Sequence, residues 1–122
     1  MGEKILLIED DMLMQDVMDY VLKSSGYEVI QVPDTRHLFN TIKNDRPNLV
    51  IIDTHLSVAD NVEVCQLIKM NASTSKLPVI LCLDSEESAE DYVNMPGAPD
   101  GFLEKPFDLI SLIQMVQLRL AA

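Results

Sequence analysis

Five short, mostly apolar runs stand out along the chain, and each has the length of a single strand. They cover residues 5–8, 29–32, 49–53, 79–83 and 101–105. The first, third and fourth runs are apolar almost throughout, which is typical of parallel strands that are covered on both faces. The pattern therefore predicts a sheet whose central strands are fully buried.

A stretch of helical periodicity follows each of these runs, which predicts five helices. After the first strand, the apolar face is formed by Met14, Val17, Met18, Val21 and Leu22. Asp11 can cap this helix, and Gly26 lies just past its end. Asp34 or Thr35 can cap the second helix, and Asp108 can cap the last.

The third and fourth helices are less regular. A loop, THLSVAD at 54–60, precedes the third helix. The acidic stretch DSEESAEDYVNM at 84–95 predicts the fourth helix, and we expect Pro96 to shorten it because proline disrupts the last helical turn.

Strict alternation of strands and helices predicts an α/β fold with an open sheet and helices on both faces. A closed barrel of this type needs eight strand–helix pairs, and only five are present. The length of 122 residues suits one domain, and an apolar fraction of 48% is enough to fill its core. We therefore expect residues 1–122 to form a single domain.

The net charge of the chain limits the kinds of molecule that can bind it directly. Twenty acidic residues against nine basic ones give a net charge of −11. Such a surface repels nucleic-acid backbones and anionic lipid, so we expect no direct nucleic-acid or membrane binding. The sequence shows neither a signal peptide nor a transmembrane run, and Cys65 and Cys82 lie in apolar settings that suit buried thiols in a reducing cytoplasm.

Charged residues follow three of the predicted strands at their carboxyl ends. Glu9 and Asp10 follow the first strand, Asp53 ends the third, and Lys105 ends the fifth. The carboxyl ends of parallel strands share one edge of the sheet, which is where such folds place their functional groups. Each residue alone has a plainer explanation, such as a helix cap or an ordinary strand exit. Together, they indicate an oxygen-only site that suits Mg²⁺.

Four motifs resemble those of the receiver domains of two-component response regulators. They are ILLIEDD in the first strand, LVIID in the third, LPVI before the fourth and LEKPF in the fifth. The resemblance covers essentially the whole chain. It implies a flavodoxin-like, or CheY-like, doubly wound (βα)5 fold with the strand order 2-1-3-4-5.

The resemblance also implies a role for each charged residue of this edge. Asp53 would accept a phosphoryl group from a histidine kinase. Asp10, Asp53 and the backbone carbonyl of His55 would hold Mg²⁺, and Glu9 would bind it through water. Lys105 would pair with a phosphoryl oxygen. Beyond self-catalysed phosphotransfer and autodephosphorylation, such a domain is not an enzyme.

The sequence departs from the family where the signal is read out. Leu83 stands where a threonine or serine hydroxyl normally reaches for the phosphate, and leucine cannot form that hydrogen bond. Asp84 follows it, and its carboxylate would repel a phosphoryl group or recruit more cation. Ser85 could supply a hydroxyl only if the loop is rearranged. Phe102 matches the aromatic residue that swings inward, although a plain core role explains it equally well.

Three functions remain open at this point. The first is a phosphorylatable switch or relay that works with a sensor histidine kinase or phosphotransfer protein and with a downstream effector protein or effector domain. The second is a receiver-like interaction module that acts by docking alone. The third, a small-molecule binder or electron carrier, is disfavoured because no glycine-rich phosphate loop follows the first strand. The family pairing mode would make the protein a monomer or a weak dimer through the helix 4–strand 5–helix 5 face.

Overall fold

The alternating pattern of the sequence folds into strands and helices in the predicted order. A computed structural model describes residues 2–32, 34–53, 58–84 and 87–121. The strands in these ranges are β1 (Lys4–Glu9), β2 (Glu28–Val32), β3 (Leu49–Asp53), β4 (Val79–Leu83) and β5 (Gly101–Glu104). The α-helices are α1 (Met12–Ser24), α2 (Leu38–Asp45), α3 (Val58–Lys69) and α4 (Leu109–Leu120), and a short 3-10 helix covers Ala89–Asp91.

All five strands are parallel and lie in the order β2-β1-β3-β4-β5. The order confirms the predicted doubly wound topology. It places β1 beside β3. The chain then continues from β1 to β2 and from β3 to β4, towards opposite edges of the sheet. Glu9 and Asp53 are register partners at the carboxyl ends of these strands. The topology therefore brings the first and third charged motifs side by side.

The sheet separates two apolar clusters. Alternate residues of the central strands, including Leu6, Ile52 and Leu83, pack with residues of α2 and α3. The others, including Leu7, Ile51 and Cys82, pack with residues of α1 and α4. Both faces are covered because successive strand side chains point in opposite directions.

Both cysteines are buried, reduced thiols, as predicted. Burial raises the pKa of Cys65 to about 12 and that of Cys82 well above its usual value. Both thiols therefore stay protonated and pack as small side chains of the core.

Two of the predicted helix caps are confirmed. Asp11 accepts hydrogen bonds from the amides of Leu13 (3.0 Å) and Met14 (3.3 Å) at the start of α1. Asp108 accepts one from the amide of Ser111 (2.6 Å) at the start of α4. These carboxylates satisfy amide groups that have no partner inside the helix.

The predicted cap of α2 is wrong. This helix begins at Leu38, and His37 holds the cap position without a side-chain hydrogen bond. Asp34 accepts a hydrogen bond from the amide of Arg36 (3.0 Å) and pairs with its guanidinium (2.9 Å). The Asp34 side chain therefore closes a local turn ahead of the helix.

Helix α3 begins earlier than predicted. Its first residue is Val58, so 58–60 are helical and Asp60 lies in the first turn. The predicted loop is therefore wrong over 58–60, because these residues belong to the helix. Ser57 and the rest of the preceding loop, 54–57, lie outside the described residues.

The predicted fourth α-helix is also wrong within the described part of its segment. The 3-10 helix Ala89–Asp91 is followed by turns up to Asp100. Gly97 has a φ of +70°, and a Cβ there would lie 3.0 Å from Gln66 Cα. Pro96 and this left-handed glycine both prevent a continuous helix, and the chain instead crosses closely over α3.

Three side chains of α3 hold this crossing segment. Gln66 Nε2 donates a hydrogen bond to the Pro96 carbonyl (2.9 Å), and Cys65 Sγ donates one to the Gly97 carbonyl (3.5 Å). Lys69 Nζ lies 2.9 Å from Asp100 Oδ2. The segment between β4 and β5 is therefore fixed to α3 by side chains rather than by a helix of its own.

Candidate functional site at the carboxyl edge of the sheet

The Asp53 and Glu9 side chains lie next to each other at the end of the sheet. Both are buried, with only 1% of each residue exposed. They are the last residues of β3 and β1, and the parallel register pairs them directly. Two carboxylates enter one buried space because apolar strands carry them there.

Two hydrogen bonds connect Glu9 to the N-cap and the first turn of α1. The amide of Asp11 donates a hydrogen bond to Glu9 Oε1 (3.0 Å), and the Gln15 side-chain amide donates to the Glu9 carbonyl. Burial, followed by the interaction with Asp53, raises the pKa of Glu9 to about 8. The Asp11 amide and the Lys105 charge oppose this shift only in part. Two neighbouring carboxylates that are shielded from water are stabilised when a proton or a cation lies between them.

One oxygen of each carboxylate has no hydrogen-bond donor among the described residues. These atoms are Glu9 Oε2 and Asp53 Oδ2, and both are buried. Buried anionic oxygens without donors fit a hard divalent cation, since Mg²⁺ binds one or two carboxylates and completes its shell with water.

The rest of the predicted ligand set is only partly described. Asp10 follows Glu9 directly and is exposed, whereas His55 lies outside the described residues. Within the described ranges, no group of three His, Cys, Asp or Glu side chains is placed to hold a metal ion.

Lys105 brings the positive charge to this edge. Its ammonium contacts Asp53 Oδ1 and lies 3.9 Å from Asp84 Oδ1, and 29% of its side chain is exposed. The amide of Lys105 donates to the Leu83 carbonyl (2.7 Å), which places the side chain beyond the end of β4. Burial lowers the pKa of Lys105, but the hydrogen bond and charge of Asp53 outweigh it, so the pKa is raised and the ammonium stays charged.

A cleft of about 650 Å³ opens beside Lys105. Its described lining is mostly apolar and comes from α1, the residue after β4, the β5–α4 connection and the start of α4: Met14, Val17, Asp84, Lys105, Pro106, Phe107 and Leu109. The cleft gives a molecule approaching Lys105 access from solvent.

Leu83 and Phe102 lie on the same side of the sheet, away from this cleft. Leu83 is fully buried and belongs to the cluster that packs on α2 and α3. Phe102 is half-buried, pairs in register with Leu81 and packs against the same cluster. Ser85, the alternative source of a hydroxyl, lies outside the described residues.

The sequence matches the family described as the response regulator receiver domain over residues 5–117. The chain belongs to this family. Receiver domains are regulatory domains of two-component systems, in which phosphorylation drives switching, and they bind Mg²⁺ in the active site. They interact with histidine kinases and effector domains. The resemblance that the sequence motifs indicated is thereby confirmed.

Relatives of this receiver domain agree with that assignment. The chain is 25% identical over 107 residues to the alkaline phosphatase synthesis transcriptional regulatory protein PhoP of Bacillus subtilis. The matched region covers 88% of this chain and 44% of PhoP. The receiver domain therefore spans about half the length of the curated relatives it matches.

Solved structures share the fold. The receiver domain of a signal transduction histidine kinase from Syntrophus aciditrophicus has a TM-score of 0.86 at 23% identity, over 98% of this chain and 91% of that one. The receiver domain of a sensor histidine kinase from Pseudomonas aeruginosa, described with a magnesium ion in its active-site cleft, has a TM-score of 0.83 at 24% identity, over the whole of both chains. In the described part of this receiver domain, no helix combines the length and apolar character needed to cross a bilayer.

Sequence reasoning missed the groups that hold Glu9. Neither the Asp11 amide nor Gln15 carries a motif that singles it out. Helix α1 has several polar residues, and the sequence does not distinguish Gln15 from the others. The one indication of its role is that Gln15 lies in the first turn of α1, shortly after Glu9 and Asp10.

Proposed function

We propose that residues 1–122 act as one receiver domain in which Asp53 accepts a phosphoryl group from a sensor histidine kinase or a phosphotransfer protein. One arrangement supports the assignment. Asp53 is buried beside its register partner Glu9, its Oδ1 contacts the Lys105 ammonium, and its Oδ2 has no donor among the described residues. A carboxylate placed between an ammonium and a second acid suits phosphoryl transfer, which depends chiefly on positioning and neutralisation of charge.

The transfer balances without a proton from Asp53. The carboxylate oxygen Oδ1 attacks phosphorus and forms the new P–O bond of an acyl phosphate. The bond from phosphorus to the donor breaks, and the donor leaves with the electron pair. Lys105, next to Oδ1, supplies a positive charge for the phosphoryl oxygens.

Glu9, Asp10, Asp53 and the His55 carbonyl are the residues that would hold Mg²⁺. The bound ion would neutralise negative charge on the phosphoryl oxygens. The unpartnered oxygens of Glu9 and Asp53 support direct contact of both acids with the ion. Their burial excludes bulk water from one side of the site.

Phosphorylation would bias the loops beyond β3 and β4, although no hydroxyl is available at residue 83. Leu83 and Phe102 pack in one apolar cluster, so a shift of the β4 end would be transmitted to Phe102 through packing. Because residue 83 has no hydroxyl, we infer that Lys105 senses the phosphoryl group without the help of that second contact.

The partners of the switch follow from the family. A kinase or phosphotransfer protein supplies the phosphoryl group, and an effector protein or an effector domain receives the signal. PhoP is named as a transcriptional regulator, and it is about twice as long as this receiver domain. A weak dimer would use β5 and α4 with the 3-10 segment in place of a fourth helix. The charge of −11 argues that the receiver domain itself does not bind nucleic acid.

Intact-mass measurement after incubation with Mg²⁺ and acetyl phosphate tests this function. We expect a gain of one phosphoryl group that is absent in Asp53→Asn. The matched control is Asp91→Asn, which removes an exposed acid of the 3-10 helix and should leave the gain unchanged. No gain with acetyl phosphate or with phosphoramidate would refute the proposal and favour a module that acts by docking alone.

A further inference from the structure

The Lys105 ammonium lies between two acids of very different exposure. The Asp53 side chain, which it contacts, is 1% exposed, and the Asp84 side chain, 3.9 Å away, is 75% exposed. Asp84 also lines the cleft through which Lys105 is reached. One positive charge is therefore already shared between two acids before any phosphoryl group arrives.

The position of Asp84 is set by its backbone. The amide of Asp84 donates to Glu87 Oε1 (2.9 Å), and the amide of Glu87 donates to the Asp84 carbonyl (3.0 Å). On the preceding side, the Leu83 carbonyl accepts from the Lys105 amide (2.7 Å). These bonds hold the main chain on both sides of residue 84, so the fold places Asp84 where its carboxylate lies 3.9 Å from the Lys105 ammonium.

We propose that Asp84 is a positioning residue that restrains Lys105 and slows the phosphorylation of Asp53 by anionic donors. The proposal rests on the proposed function of Asp53 as phosphoacceptor. A phosphoryl donor brings negative charge to the side of Lys105 that Asp84 already occupies, and like charges repel. Leu83 offers no hydroxyl to compensate, so the availability of Lys105 sets the rate.

The affected step is the attack of an Asp53 oxygen on the phosphorus of acetyl phosphate. A P–O bond to Asp53 forms, the P–O bond to acetate breaks, and acetate leaves with the electron pair. Lys105 stabilises the phosphoryl oxygens during this step only as far as it is released from Asp84. Asp84 therefore acts through Lys105 and not on the reacting atoms.

The initial rate of phosphoryl gain from acetyl phosphate and Mg²⁺, followed by intact mass, tests the role of Asp84. Asp84→Asn should react about fivefold faster than the wild type, which is the effect of two unit charges about 4 Å apart in water. Asp84→Glu keeps the charge and should react like the wild type. Glu90→Gln removes one exposed acid away from Lys105 and should also leave the rate unchanged.

Ionic strength separates this electrostatic role from a merely structural one. The advantage of Asp84→Asn should disappear at about 1 M salt, where the screening length is only about 3 Å. Equal rates for Asp84→Asn and the wild type at low salt, or a slower variant, overturn the proposal, and a slower variant would make Asp84 a holder of cation. If neither protein gains a phosphoryl group with any donor, the proposed function itself fails and this inference fails with it.

Discussion

Glu9 and Asp53 are register partners whose carboxylates share one buried space, and each keeps an oxygen without a donor among the described residues. Neighbouring acids repel each other, and burial removes the water that would screen them. The fold therefore holds an unfavourable arrangement at the end of its two central strands. That arrangement becomes favourable when a proton or a divalent cation lies between the two side chains.

The stability of the metal-free protein should fall as the pH rises. The pKa of Glu9 is about 8 in the folded protein and ordinarily 4.5, so between these values the folded state binds a proton that the unfolded state does not. Stability is then lost as the pH rises from about 5 to 8. In a chelating buffer, Glu9→Gln should raise the free energy of unfolding at pH 8 by about 1–3 kcal/mol and have little effect at pH 5.

Urea unfolding at the two pH values measures this effect. Glu90→Gln, at an exposed site, is the control and should show no such pH dependence. Adding Mg²⁺ at pH 8 should stabilise the wild type more than Glu9→Gln. A Glu9→Gln protein that gains nothing at pH 8 would contradict the buried, proton-binding carboxyl.

Removing the charge of Lys105 should nearly abolish phosphoryl acceptance. The Lys105 ammonium contacts Asp53, and loss of one such stabilising group typically lowers rates about 100- to 1,000-fold. We expect this loss for Lys105→Met in the rate of mass gain from acetyl phosphate. Lys105→Arg keeps the positive charge on a group of different shape, and its rate should lie between those of the wild type and Lys105→Met. Wild-type rates in Lys105→Met would exclude a role for the ammonium.

Leu83→Thr tests whether the missing hydroxyl limits the phosphorylated state. Leu83 is fully buried, so the substitution should lower the free energy of unfolding by about 1–3 kcal/mol. The new hydroxyl should nevertheless lengthen the half-life of the phosphorylated protein, measured by the decay of its intact mass. Leu83→Val is the matched control, because it removes volume without adding a hydroxyl. Equal half-lives for the two variants would show that residue 83 does not reach the phosphoryl group.

Asp100 should be a stability determinant far from the site. Its Oδ2 accepts a hydrogen bond from the Val79 amide (2.8 Å) and lies 2.9 Å from Lys69 Nζ. Asp100→Ala leaves both donors without this partner and should lower the free energy of unfolding by about 1–3 kcal/mol. Asp100→Asn keeps an acceptor for Val79 and should cost less. Urea titration of both variants measures the difference, and an alanine variant as stable as the wild type would exclude this role.

The charged edge could be predicted because local sequence determines it. Asp53 and Lys105 each end a short run of strand character, and parallel strands deliver their carboxyl ends to one edge. The order of the strands was less accessible, since periodicity does not say which strands are neighbours. The family resemblance supplied the order, and the structure confirms it.

The segment between β4 and β5 could not be predicted from local propensity. Its acidic and alanine-containing stretch has helical character, but the described residues form only the 3-10 helix Ala89–Asp91 and turns. The deciding contacts, from Gln66 to Pro96 and from Lys69 to Asp100, join residues about thirty positions apart. Burial of Glu9 is likewise a property of the assembled sheet, so its raised pKa has no signature in the sequence.

Gly97 makes the close crossing over α3 possible, because any larger side chain would collide with Gln66 and Met70. A receiver domain with another residue at the equivalent place would have to route the chain between its fourth and fifth strands differently. Glycine at position 97 is thus a requirement of this connection and of the surface that it forms beside α3.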